Sequence, residues 1–309
     1  VVGDLHQRQE PEPLVLVTFP PETSRLLLGP GFPGVAKTPP GIHRQRVNRP
    51  VQHPSQPEHA RISGVLTEAW GSGDFARPEP WDDILRATYE HDVGWTDWEK
   101  APTLNADRLP AHFTETPVDV NFDIFRKGVQ NVYSRGYPNA AALVSRHAAN
   151  IYMGILGGVG ARPLSPEEKS KMSAYVAEQE ERQAEICREI NEGAGKDEAV
   201  TLEDVNRHGK FVTAMDTISL VLCNGWNHRN RLQQVPVGPS EEDGLADIAL
   251  DLADPHTLRV SPWPFSRDCV EATARGRRIP REPFDSVEDL HAALRDAPPF
   301  EMTFRLTPG

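Results

Sequence analysis

Glu90-His91-Asp92-Val93-Gly94-Trp95 decides how this sequence is read, because it sets an imidazole beside a carboxylate where a helix should stop. A helix is expected over residues 81–91. It follows Pro80 and carries Asp82 and Asp83 in its first turn, where the helix dipole favours acids. Gly94 then lets the chain turn sharply. Imidazole and carboxylate together are ordinary ligands for Fe, Mn or Zn. Adjacent His and Asp also occur by chance, so the meaning of the pair depends on what the other helices carry.

Three further helices carry polar residues in apolar settings. Residues 58–70 place His59, Ile62, Leu66 and Ala69 on one stripe. Residues 139–156 repeat Leu143, His147 and Ile151 at four-residue steps. Residues 211–223 bury Asp216 inside Phe-Val-Thr-Ala-Met-Asp-Thr-Ile-Ser-Leu. A buried carboxylate without a partner is costly, so Asp216 requires a metal, hydrogen bonds, or an arginine such as Arg146 or Arg207. A lone histidine is more often a core or surface residue than a ligand. His59, His91-Asp92, His147 and Asp216 taken together point to a metal centre.

The rest of the chain frames that helical body. Of 309 residues, 33 are Lys or Arg and 45 are Asp or Glu, a formal charge of -12 that argues against nucleic acid or an anionic membrane as partner. A small-molecule substrate is the expectation. Cys187, Cys223 and Cys269 form no CxxC, which suits a reducing compartment. The longest apolar run, 151–159, is too short to span a bilayer, and no basic-then-apolar leader is visible, so a cytoplasmic location is expected.

Residues 1–57 read as a proline-rich arm with one strand at 14–19. Residues 58–227 read as the helical body, including a long exposed helix that starts at Ser165-Pro-Glu-Glu168. Residues 228–309 read as a β-rich section, with strands at 248–252, 257–260, 269–274 and 301–306 and a capped helix at 286–294. The fold class expected is mainly α with a smaller β-rich C-terminal section.

The order His59, His91-Asp92, Asp216 on helices resembles the HD superfamily of metal-dependent phosphohydrolases and oxygenases. More closely, His59-Ala-Arg-Ile-Ser-Gly-Val-Leu-Thr-Glu-Ala-Trp-Gly71, His91-Asp-Val-Gly-Trp95, Leu143-Val-Ser-Arg-His147, Asp216-Thr-Ile-Ser-Leu220 and Pro262-Trp-Pro-Phe265 resemble the family called domain of unknown function 3891, over roughly residues 50–309. The superfamily resemblance implies an HD-type helical bundle and a first metal held by His59, His91, Asp92 and Asp216. It implies a second metal shared through Asp92 and held by histidines between Asp92 and Asp216, with His112 and His147 taken and His208 left as an exposed helix residue. Two Fe ions are the cofactor so implied, with Mn, Zn, Mg or Ni as alternatives. Asp92 and His147 are the expected catalytic residues.

One departure bears on the chemistry. Many HD enzymes carry Lys three residues after the Asp, where it meets an anionic substrate; Trp95 stands there, followed by Asp97, Trp98 and Glu99. Tryptophan cannot neutralise a phosphate, and the two acids add repulsion. Trp95 and Trp98 are therefore expected either to pack or to form an aromatic wall for a small polar or partly aromatic substrate, with Arg146 as a source of charge. The resulting reading is a non-haem diiron oxygenase. The alternatives are a metal-dependent hydrolase of phosphoester or C–N bonds and a non-catalytic binding module.

Overall fold

The computed structural model describes residues 55–159, 163–193, 199–226, 230–280 and 282–309. The strand expected at 14–19, and the arm that carries it, lie outside the described residues. Eight α-helices are described: α1 Gln56–Ala69, α2 Trp81–Glu90, the short α3 Thr96–Lys100, α4 Val118–Ser134, α5 Pro138–Leu156, α6 Pro166–Gly193, α7 Leu202–Asn224 and α8 Val287–Asp296. Five strands follow the first seven helices: β1 Arg231–Pro236, β2 Leu245–Asp254, β3 Thr257–Ser261, β4 Val270–Arg277 and β5 Pro299–Pro308. No helix among the described residues is long and apolar enough to cross a membrane.

Local chemistry sets the ends of the helices that matter for the site. Ser55 caps α1, its hydroxyl accepting the Glu58 N–H at 3.3 Å, with a proline in the first turn. Thr201 caps α7 in a reciprocal box with Asp204, and Gly225 closes that helix in the left-handed region at φ 64°. α4 follows Pro117 but has no side-chain cap hydrogen bond at its start. Its buried Phe122, Phe125, Val129 and Val132 nevertheless recur at three- and four-residue steps.

The sheet has the order β1-β2-β3-β5-β4, antiparallel except for the β3–β5 pair. Along β5, Met302, Phe304 and Leu306 are buried while Glu301, Thr303 and Arg305 face outwards, the two-residue period of a half-buried strand. The outer face is laced by cross-strand pairs such as Arg305 with Glu271 at 2.7 Å. The inner face joins the helices. Ile62 and Leu66 of α1, Leu143 of α5 and Phe211 and Met215 of α7 form one hydrophobic cluster with Ile248, Leu258, Val260, Val270 and Phe304 of the sheet.

That shared core corrects the expected fold class. The molecule is not a mainly α, HD-type bundle with a smaller β-rich section attached. It is a helical layer packed on a five-stranded mixed sheet, and neither layer closes its apolar face without the other. β1, with its polar Gln233-Gln234 and a bulge, gives little alternation to read from sequence and carries no expected strand.

Two contacts tie the sheet to α1. The Glu58 carboxylate accepts the Arg275 N–H of β4 at 2.6 Å, and Pro262-Trp-Pro-Phe265 docks at the other end. There Gly71 N–H reaches Pro264 O at 3.0 Å, Ser266 N–H reaches Ala69 O at 2.7 Å, and Trp70 packs edge-on against Phe265 and Phe211. The chain after α2 is fixed differently. Gly94 lies against the α4 backbone so closely that a methyl there would collide with the Ile124 carbonyl oxygen. The His91-Asp92 turn is thus seated on a helix.

Candidate metal centre

Four elements deliver five side chains to one buried point. α1 brings His59 one turn from its N-terminus, α2 ends on His91 and Asp92, α5 brings His147 and α7 brings Asp216. All are at most 5% exposed. His59 Nε2 lies 2.7 Å from Asp92 Oδ2 and 3.8 Å from Asp216 Oδ1. His91 Nε2 lies 3.8 Å from Asp92 Oδ2 and 3.4 Å from Asp216 Oδ1. The His147 ring stands edge-on to His91, centroids 4.7 Å apart.

The hydrogen bonds behind these rings assign their tautomers. His91 Nδ1 faces the Thr88 carbonyl oxygen at 2.9 Å, which only accepts, so Nδ1 carries a proton. The Ser219 hydroxyl donates to Asp216 O at 2.8 Å and therefore accepts from His59 Nδ1 at 2.7 Å. The Thr213 hydroxyl donates to Gly209 O at 2.9 Å and accepts from His147 Nδ1 at 3.2 Å. In the neutral rings all three Nε2 atoms then carry lone pairs. Those of His91 and His147 are buried with no hydrogen-bond partner, and that of His59 meets a carboxylate oxygen. Lone pairs converging on two carboxylates repel unless a cation or a proton lies among them.

The protonation states follow the same logic. Burial, the largest influence on His91, opposes its charge, but Asp92 and Asp216 outweigh it and raise its pKa to about 9. Burial and then the neighbouring His91 lower His147 to about 4. Burial would raise Asp216, yet His91 and His147 hold it well below the usual carboxylate range. Without a metal, one proton on His91 partly offsets the two acids, and His147 stays neutral.

The donor set fits a divalent ion. Around an ion bound at about 2.1 Å, neighbouring ligand atoms stand roughly 3.0 Å apart in an octahedron and roughly 3.4 Å in a tetrahedron. The four Nε2–O separations, 2.7 to 3.8 Å, bracket those values. Two overlapping sets, His59-His91-Asp216 and His91-Asp92-His147, each bring their ligand atoms within 4.8 Å of one another. Of the partners open to Asp216, the structure supplies histidines. Arg207 instead binds Gly238 O at 2.8 Å, and Arg146 lies across Gly209 with its guanidinium 3.5 Å from Glu180.

Other residues singled out by sequence lie elsewhere. His112 belongs to neither set; its Nδ1 caps the 3-10 turn Phe113–Glu115, accepting the Thr114 N–H at 3.3 Å. His208 is buried rather than exposed, and also lies outside both sets. Trp95 is 2% exposed and packs edge-on against Trp98, Phe113 and Phe125, so its ring braces the turn that carries His91 and Asp92. Trp98 is half-buried beside it. Sequence reasoning passed over Ser219, Thr88 and Thr213. The signal was present: each lies three residues from a ligand or faces one across a helix pair, and every buried Nδ1–H needs an acceptor.

A family profile described as "Protein of unknown function (DUF3891)" matches residues 43–281. The chain belongs to this family. The matched span covers all five converging residues and the Pro262-Trp-Pro-Phe265 segment of this DUF3891 protein. No curated protein and no solved structure matches the chain.

Proposed function

We propose that this DUF3891 protein is a metal-dependent enzyme acting on a small molecule, with the ligand order of the HD superfamily. The reading is carried by one observation: three imidazoles, each engaged through Nδ1, turn their Nε2 atoms towards Asp92 and Asp216, and those of His91 and His147 have no hydrogen-bond partner. His59, His91, Asp92 and Asp216 hold the ion. A divalent ion there supplies acidity to a bound water and polarises the bond under attack.

Hydrolysis of a phosphoester or C–N bond is the chemistry that this geometry supports best. It requires one ion and one base. His147, neutral and oriented by Thr213, accepts a proton at Nε2 and returns it to the leaving group, while Asp92 orients the nucleophile. A diiron oxygenase is the second reading. The overlapping His91-Asp92-His147 set and Trp95 in place of a lysine favour it, whereas His112 stands apart from the ligands a second iron would use. Cys187 and Cys223, both buried and outside any disulfide, suit work in the reducing cytoplasm.

Metal analysis of protein purified without chelator separates the readings. One equivalent of Mn, Zn, Mg or Ni, with turnover of phosphoester or amide panels, supports the hydrolase. Two equivalents of Fe with oxygen consumption support the oxygenase. No metal supports a binding module and overturns the proposal.

A further inference from the structure

Glu99 lies on α3, a few residues beyond the His91-Asp92 turn, and its surroundings differ from those of the acid beside it. Asp97 is exposed and pairs with Lys100 at 3.6 Å, whereas Glu99 is 7% exposed. Its Oε1 accepts the Gln56 backbone N–H at 2.9 Å, one turn before His59 on α1. Its Oε2 is buried without a hydrogen-bond partner. The charge that acts on it is that of Asp92. Glu58 of α1 is engaged with Arg61 and Arg275 instead, so α1 meets Glu99 through the Gln56 backbone.

An ionised carboxylate so placed is desolvated, held by a single donor and repelled by another acid. A neutral acid, with its proton on Oε2, escapes the repulsion and most of the cost of desolvating a charge. Burial raises its pKa, the Gln56 N–H lowers it and Asp92 raises it again, leaving it at about 7.

We propose that Glu99 is a proton-carrying positioning residue of the metal centre: it holds a proton on Oε2 while no cation is present and releases it when a divalent ion offsets Asp92. The proposal rests on the reading of the centre as a metal site. On release the Oε2–H bond breaks, its electron pair stays on oxygen and the proton passes to solvent. The new negative charge adds to those of Asp92 and Asp216, so Glu99 strengthens the hold on the ion without ligating it.

Glu99→Gln keeps an oxygen for the Gln56 N–H and removes only the ionisable proton. Mn(II) is titrated calorimetrically into metal-free, full-length protein at about pH 6, in two buffers of different ionisation enthalpy. Wild type should release about one proton more per ion than Glu99→Gln. Infrared spectra of metal-free wild type should show a protonated-carboxyl band that Mn(II) abolishes and the variant lacks. If the variant does not fold, the same difference appears in wild type alone, as a fall of about one proton released between about pH 6 and about pH 8. Mn(II) binding with equal proton counts, or a release that does not change with pH, overturns the role of Glu99 alone. Failure of wild type to bind Mn(II) overturns the metal reading and the linkage with it.

Discussion

His59 and Asp92 meet at 2.7 Å, Nε2 to Oδ2, while the far nitrogen of the same ring is fixed by Ser219 on another helix. Ligand and orienting group are thus separate residues, and they can be tested separately. Asp92→Ala should lose most bound metal. Ser219→Ala leaves every ligand in place but frees the His59 tautomer, and should weaken metal binding about 10–100-fold. Calorimetric titration with Mn(II) measures both. A Ser219→Ala protein that binds as tightly as wild type would show that the tautomer assignment is wrong.

Stability of the metal-free protein should depend on pH from both sides. His91 has a raised folded pKa, so its contribution is fully present below about 6.5 and is lost as pH rises through about 9. His147 has a lowered folded pKa, so its contribution is present above about 6.5 and is lost as pH falls through about 4. Melting temperature against pH should therefore peak near neutrality. A metal-free profile still rising at pH 9 would contradict the charge assigned to His91.

Gly94 is where the turn after α2 touches α4. Gly94→Ala should destabilise the fold by about 2–3 kcal/mol, because the methyl collides with the Ile124 carbonyl oxygen and rigid helical backbone must give way. The same displacement moves His91 and Asp92, so metal affinity should fall along with the urea midpoint. Unchanged affinity in a destabilised variant would mean that the turn is not held by this contact.

Trp95 and His112 should behave as packing and capping residues. Trp95→Ala should cost about 3–5 kcal/mol, the loss expected for a large buried aromatic, and Trp98→Ala less, because Trp98 is half-buried. His112→Ala should leave metal stoichiometry unchanged, since its Nδ1 serves the turn Phe113–Glu115. Metal analysis of that variant is decisive: loss of one of two ions would bring His112 back into the centre.

The polar residues of the site were legible because each interrupts an apolar helix, where a charge or imidazole must have a partner. His59, His91, Asp92, His147 and Asp216 converge for that reason. His112 caps a turn and lies outside both sets, a place the sequence does not give, because histidine in a loop reads the same whether it caps a turn or binds an ion. In the sequence, Glu99 reads with Asp97 as repulsion against an anionic substrate; a five-residue helix has too little periodicity to say which of two acids faces inwards. α4 could have been found from its three- and four-residue apolar steps, whereas β1 offered little alternation. The weight of the sheet stayed hidden for another reason. Alternation shows that a strand has a buried face, but not that this face completes the core of helices far away in sequence.

The bond between Glu58 and Arg275 has a consequence for biosynthesis. Every side chain of the centre has been synthesised by residue 216, but the acid beside His59 waits for the backbone N–H of Arg275. A ribosome that has made only the first seven helices therefore presents all five side chains with an α1 whose outer end is not yet clamped and whose apolar face is still open. Maturation should therefore wait for β4: only when it closes on α1 does the acid beside His59 gain its clamp.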